Sequence, residues 1–335
     1  AWAMRFGVLD QTPVRPGSTA VEALGESVRL AQHVEALGFD RYWLAEHHGG
    51  QALAGPAPEI LTARIASATQ TLRVGTGGVM LMHYSPFKVA EQFRVLEALF
   101  PGRIDLGIGR APGADGHTSA ALGYGNGVGP DYFAAKVADL HAWLTDTTPH
   151  TPALSTVRCG PSTPSAPELW LLGSTDQSAQ LAAHLGLRFA FAHFIAPEQA
   201  AAILRLYRER FRPSPTLAAP YASLGVFVLC ADTEREAQAL ARCRDLWRGR
   251  LARGEPGPWP TVAEAERVLG TDAPAGGQHA IAGTPAVVKQ RLTQLLEETG
   301  VDHCSVITIT PEHAQRELSY QRLAEAFSLR ASAAA

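Results

Sequence analysis

Eight times along this 335-residue chain, a short run rich in β-branched and aromatic residues is followed by apolar residues at helical spacing. That alternation narrows the fold sharply, because parallel strands are joined by crossovers and a helix is the usual crossover. The strand-like runs are residues 5–9, 41–45, 72–76, 104–108, 168–172, 188–192, 224–230 and 305–308. Helical patterns follow them, with clear stop and start signals. Thr19-Ala20-Val21-Glu22 has the form of a capping box, Gly38 is placed to end the first helix, and Ser85-Pro86 opens another with proline at a permitted position. Further helices are predicted over 58–68, 86–100, 131–144, 175–185, 197–211, 233–248, 284–297 and 312–327. The count predicts an α/β fold, a single (β/α)8 TIM barrel over residues 4–329 with loop insertions at its C-terminal face. A doubly wound sheet has fewer strands and a glycine-rich first turn.

Hydrophobic residues at 46% against 18% charged support a sizeable core, and the net charge of -3 offers no basic field for nucleic acid or an anionic membrane. Cys159, Cys230, Cys243 and Cys304 are scattered without metal-type spacing, as expected of thiols in a reducing cytoplasm. No run approaches the roughly 18 apolar residues of a membrane span. The opening Ala1-Trp2-Ala3 lacks the charge and apolar stretch of a signal peptide. A cytoplasmic location is the expectation.

In a parallel barrel, chemistry gathers where strands end and loops begin. His47 and His48 follow the second strand run at that edge, after Glu46. A surface pair or satisfied core histidines is the plain alternative. Adjacent side chains at a strand end point apart, and neither HxH after the first strand nor HExxH occurs, so no metal site is expected. Proton transfer suits an imidazole, which titrates near neutrality. Gly77-Gly78 ends the third run, where glycine permits a bulge and the close approach of a flat ligand. Gly107-Ile108-Gly109-Arg110-Ala111-Pro112-Gly113 ends the fourth; Pro112 sits where a dinucleotide fingerprint needs its third glycine. Arg110 there is a permanent cation suited to a phosphate, unless it pairs with a neighbouring carboxylate.

Gly173-Ser174-Thr175-Asp176-Gln177-Ser178 joins the fifth run to its helix. Ser174 and Gln177 read as an ordinary helix start of the Ser-x-x-Gln type, yet such a start with free amides is also an anion site. With Arg110 on the adjacent strand it can grip one phosphate monoester; Asp176 opposes this unless its side chain turns outward. Residues 123–129 alternate glycine and read as a flexible loop near the mouth. Residues 250–282, rich in glycine and proline, read as an excursion, either a long active-site lid or plain disorder.

Through these residues the chain resembles the bacterial luciferase-like, flavin-dependent monooxygenase family, near single-component oxidoreductases related to the alkanal monooxygenase alpha chain. The likeness runs over nearly the whole chain. It is carried by Val8-Leu9-Asp10-Gln11-Thr12-Pro13, Trp43-Leu44-Ala45-Glu46-His47-His48, Val74-Gly75-Thr76-Gly77-Gly78-Val79-Met80, His83-Tyr84-Ser85-Pro86, Val89-Ala90-Glu91-Gln92-Phe93 and Gly102-Arg103-Ile104-Asp105-Leu106-Gly107-Ile108-Gly109-Arg110.

The resemblance implies an FMN site. His47 matches a histidine that serves as acid and base near the flavin, and Gly77-Gly78 falls at a non-proline cis peptide against the flavin ring. Arg110 matches a flavin-phosphate arginine, while Gly173, Ser174, Thr175 and Ser178 fall at the phosphate-binding helix start. Two positions depart from luciferase: Gly109 replaces a reactive cysteine, which counts against aldehyde handling and light emission, and Ser174 replaces an acidic residue. The implied activity is a monooxygenase using reduced FMN, supplied by a separate NAD(P)H-dependent reductase, with molecular oxygen and a small organic substrate; a homodimer is also implied. The alternatives are a deazaflavin-dependent hydride transferase, a non-catalytic flavin-binding protein and a metal hydrolase.

Overall fold

A computed structural model describes residues 3–126 and 132–333 of the chain. Strands β1 (Arg5–Asp10), β2 (Arg41–Leu44), β3 (Arg73–Met80), β4 (Ile104–Gly109), β5 (Glu168–Gly173), β6 (Arg188–Ala192) and β7 (Ala222–Cys230) pair in parallel in sequence order. A short β8 (Ile281–Gly283) follows, then β9 (His303–Ile307). Strand β9 pairs with both β7 and β1, which closes the ring into the expected TIM barrel. Eight strands make the barrel, but nine are present among the described residues: β8 pairs with the last three residues of β7, Val228 to Cys230. The eight-strand count therefore missed one element, which three residues are too few to announce by periodicity.

The helices are α1 (Ala20–Leu37), α2 (Pro58–Ala68), α3 (Pro86–Leu99), α4 (Gly116–Gly123), α5 (Phe133–Leu144), α6 (Asp176–Leu185), α7 (Ala200–Arg210), α8 (Glu234–Ala252), α9 (Val262–Leu269), α10 (Pro285–Thr299) and α11 (His313–Ala326). Local chemistry sets their ends. Thr19 and Glu22 form the reciprocal capping box on α1, and Gly38 ends it at φ 101°, a conformation glycine adopts without steric cost. The buried residues Leu30, Ala31 and Val34 of α1 face the sheet.

Two segments expected to be irregular are partly regular. The glycine-rich stretch after β4 contains α4, started by Asp115, whose carboxylate accepts from Thr118 N at 2.7 Å. Gly127, Val128 and Gly129 of the predicted mouth loop lie outside the described residues. Residues 250–282 contain α9, which packs on α8, and end in β8; Trp259 within them is only 2% exposed. Among the described residues, no helix is long and apolar enough to cross a membrane.

Charged groups close the N-terminal end of the barrel. The Asp105 carboxylate, fully buried, accepts from Arg41 Nη1 at 2.7 Å, Trp43 Nε1 at 2.9 Å, and Arg73 Nε and Nη2 at 2.9 and 2.8 Å. Arg41 Nη1 also lies 2.7 Å from Glu168 Oε2. Trp43 and Trp170 stack edge-on above this network, with ring centroids 4.9 Å apart. A ligand cavity is thereby left to the opposite, C-terminal end, where the loops of a parallel barrel can shape it.

Candidate active site

A cavity of about 820 Å³ opens at the C-terminal end, within the range of small-molecule sites. The eight residues that the resemblance assigns to a site all line it: His47, Gly77, Gly78, Arg110, Gly173, Ser174, Thr175 and Ser178. The lining is otherwise mainly apolar, with Leu9, Trp43, Met80, Leu172 and Phe194 among its residues.

The two adjacent histidines part company at the strand end. His47 lines the cavity, and its Nδ1 is buried without a hydrogen-bond partner among the described residues. Burial, and then the neighbouring His48, lower the imidazole from 6.5 to about 4, so it is neutral at pH 7. His48 turns away, with Nε2 2.7 Å from Glu46 Oε2. Glu46 is fully buried and also accepts from Tyr84 Oη at 2.9 Å and from the backbone of Met80 at 3.3 Å. Burial, then the Glu46 charge, push the Tyr84 hydroxyl well above its ordinary value, so it stays a donor. The backbone of His47 donates to Gly55 O at 3.1 Å and that of His48 to Gly113 O at 3.0 Å. The cavity histidine is therefore carried on a segment tied down on both sides. The Glu46 network escaped the sequence reading, because its partners lie 34 and 38 residues downstream in β3 and after it.

Gly77 and Gly78 lie inside β3, which runs on to Met80 and changes register against β4 between Thr76 and Val79. The peptide between them is cis. A Cβ on Gly77 would lie 2.8 Å from Leu9 Cδ1, and one on Gly78 2.8 Å from the carbonyl oxygen of Gly107. The wall can be this flat only without side chains. Gly78→Ala is expected to lose about 1–3 kcal/mol of stability, because the clash is with backbone that cannot swing aside; denaturant unfolding of the variant checks it. At Gly109, by contrast, a Cβ would come no closer than 3.8 Å to its neighbours, the Met80 Cε and Sδ atoms, so the wall there tolerates a larger residue.

Strands β4 and β5 are neighbours, paired from Asp105–Glu168 to Ile108–Leu171, which brings Arg110 beside the start of α6. Among the described residues Arg110 forms no ion pair; its guanidinium donates to Gln177 Oε1 at 3.3 Å. The expected Ser174–Gln177 helix start is corrected by one residue. Thr175 is the N-cap, accepting from Ser178 N at 3.2 Å, and the Ser178 hydroxyl closes a reciprocal box. That shift leaves the Ser174 hydroxyl without a capping duty and puts Gln177 against Arg110. Asp176 does not line the cavity, but its Oδ1 takes up the amide of Gln177 at 3.0 Å. An anion here thus meets one guanidinium and a hydroxyl more than a crown of free amides. Among the described residues, no three His, Cys, Asp or Glu side chains gather so as to hold a metal ion.

Two further polar residues on the wall are Gln11, from the Val8–Pro13 stretch that carries the resemblance but has no role assigned by it, and Ser305. On β9 the residues at period two, His303, Ser305 and Ile307, share a face, and the His303 ring lies beside those of Trp43 and Trp170, at 6.3 and 6.5 Å. Starting the last strand at residue 305 hid that alternation.

Known proteins match this chain along its length. The sequence profile of luciferase-like monooxygenases matches residues 4–303. The YceB protein of Bacillus subtilis is 42% identical over 329 residues, covering 97% of this chain and 99% of that one. The N-acetyl-S-alkylcysteine monooxygenase of the same organism is 35% identical over 329 residues, covering 96% and 98%. The crystal structure of apo-MsnO8 superposes with a TM-score of 0.89 at 38% identity, covering 97% and 99%. The fold alone is shared with the oxygenating constituent of 3,6-diketocamphane monooxygenase from Pseudomonas putida, solved with FMN (TM-score 0.72, 20% identity, 96% and 97% covered). It is likewise shared with an F420-dependent secondary alcohol dehydrogenase (TM-score 0.69, 15% identity, 97% and 99% covered). The family profile over residues 4–303, with relatives 35–42% identical over 96–97% of the chain, places this barrel in the luciferase-like monooxygenase family.

Proposed function

We propose that the protein is an FMN-dependent monooxygenase that uses reduced flavin and molecular oxygen on a small organic substrate. The observation that carries the reading is the meeting, in one cavity, of three things: an arginine with spare donors, a side-chain-free wall and an unpartnered imidazole. These suit a phosphate-tailed flat ring. Arg110 and the Ser174 hydroxyl would hold the phosphate at the start of α6, and Gly77 and Gly78 would receive the ring. Bound reduced FMN supplies the electrons that activate oxygen. The chain's own residues supply the surroundings: the apolar walls exclude water, and neutral His47 accepts or returns a proton at Nδ1.

The same reading includes a separate NAD(P)H-dependent reductase as transient partner, a second copy of the chain as subunit, and a reducing cytoplasm. The four unpaired cysteines are compatible with that last point. Anaerobic titration with reduced FMN tests the cofactor assignment. Tight binding is expected in the native protein. Arg110→Ala should weaken it roughly 10- to 100-fold, as for loss of a charge-assisted hydrogen bond worth about 1.5–3 kcal/mol. Failure of FMN to bind overturns the proposal, and binding of a deazaflavin in its place would turn the reading to hydride transfer.

A further inference from the structure

The residues assigned above to the flavin occupy only part of the ring. His47, Gly77 and Gly78 follow or lie in β2 and β3, and Arg110 and Ser174 follow β4 and β5. Around the barrel, the arc formed by β6, β7, β9 and β1 remains. Its share of the cavity wall comes from Leu9, Phe191, Phe194, Ile195 and Gly225, with two polar residues, Ser305 and Gln11. Gly225 matters sterically: a Cβ there would lie 3.3 Å from the Phe194 ring, so its absence lets that ring lie across β7.

Charge is scarce in the whole chamber. Among the described residues, Arg110 is the one permanently charged side chain lining the cavity, and no ionisable side chain lines the arc opposite it. A carboxylate or sulfonate seated there would lose its water and find no charged side chain on the wall, since the buried Arg244 guanidinium lies behind Phe194 and donates to its carbonyl at 3.4 Å, which makes such a ligand unfavourable. The polar groups present are neutral. Ser305 is 2% exposed, lines the cavity, and its Oγ has no hydrogen-bond partner among the described residues. Its strand neighbours on both sides, Gly7 and Gly225, carry no side chain to satisfy it. Gln11 follows β1, the strand paired with β9, and so stands further up the same side of the wall. A buried hydroxyl left unpaired in a native interior calls for a partner.

We infer that this arc, given the flavin seat proposed above, selects an uncharged and largely apolar substrate bearing one hydrogen-bonding oxygen. Ser305 receives that oxygen, and Gln11 is the second polar contact within reach of the same face. Phe194 and Ile195 enclose the hydrocarbon part. Ser305 is thus a specificity-determining residue, acting on substrate and not on cofactor.

Three probes of similar size test this on FMN-loaded protein: cyclohexyl methyl ketone, cyclohexanecarboxylate and ethylcyclohexane. Binding is followed by tryptophan fluorescence, since Trp43 lines the cavity, and FMN affinity is measured separately. The ketone should bind at least about tenfold tighter than the carboxylate. Ser305→Ala should weaken the ketone by about 3- to 10-fold and leave the affinities for ethylcyclohexane and FMN in place, which also shows that the variant is folded. Ser305→Thr, which keeps the hydroxyl, should retain the native ketone-to-hydrocarbon ratio. The inference is overturned if the carboxylate binds as well as the ketone, if the ketone does not bind, or if Ser305→Ala leaves the ketone unaffected or weakens FMN. Failure of the native protein to bind FMN would instead strike the flavin assignment itself.

Discussion

Replacing His47 by Gln is expected to lower oxygenase turnover by roughly 100- to 10,000-fold, the usual reach of a positioned proton-transfer group. FMN affinity should change only a few-fold, because the proposed phosphate contacts lie on other strands. Steady-state turnover beside an equilibrium flavin titration separates the two. Equal losses in both would show that His47 serves binding and not proton transfer. The imidazole titrates at about 4, lowered from 6.5 by burial first and His48 second. It is therefore neutral at working pH, and a negative charge placed beside it would raise that value toward neutrality.

The same shift has a stability consequence. Between pH 6.5 and about 4 the unfolded chain takes up a proton at this histidine that the folded chain refuses. Unfolding thus becomes easier as pH falls through that window, by up to about 1.4 kcal/mol per pH unit. His193, also lowered to about 4, chiefly by burial, adds in the same direction. The acid slope of the native protein's unfolding curve should therefore be steeper than that of His47→Gln.

Asp105→Ala is expected to cost about 3–5 kcal/mol, the penalty of removing one partner from a buried ion pair. Two guanidinium groups, Arg41 and Arg73, would be left facing one another beside Trp43, with Glu168 and, at 4.0 Å from Arg41 Nε, Asp40 to answer them. Burial pushes the Asp105 carboxyl upward, but Arg41 and Arg73 outweigh it and hold the group at about 2. Its contribution is complete above its ordinary value of 3.8 and is lost as pH falls from there toward 2. Chemical denaturation of Asp105→Ala and Asp105→Asn distinguishes charge from packing. If the asparagine variant is as stable as the native protein, the charge is not what matters there. FMN binding by whichever variant remains folded should persist, since this network closes the other end of the barrel.

Much of the architecture is legible in the residues alone. Strand periodicity, helix caps at Thr19 and Ser85 and the stop at Gly38 are local features, governed by residues two to four positions apart, and they lead to the ring of eight strands and its flanking helices. Where local signals are weak the reading slips. Three residues of β8 carry no usable period, and α4 begins and ends in glycine inside a glycine-rich stretch. The choice between Ser174 and Thr175 as cap turns on backbone angles that two hydroxyl-bearing neighbours do not reveal.

By itself, the sequence determined the fold class, the end of the barrel where the cavity would lie, and the eight residues that line it together. The first two follow from strand order; the full set of eight came through the resemblance to a known family, and Gly77, Gly78 and Ser178 lie inside elements and not at strand ends. Tertiary structure alone decided which of two adjacent histidines faces the cavity, that Glu46 ties the other down, that Arg110 meets an amide and not a carboxylate, and that Ser305 is buried without a partner. Apart from the His48–Glu46 contact itself, which spans two residues but is fixed by Tyr84 and Met80, these depend on contacts between groups tens to hundreds of residues apart, and burial, which sets both the unmet hydrogen bonds and the low pKa of His47, exists only once those contacts have formed.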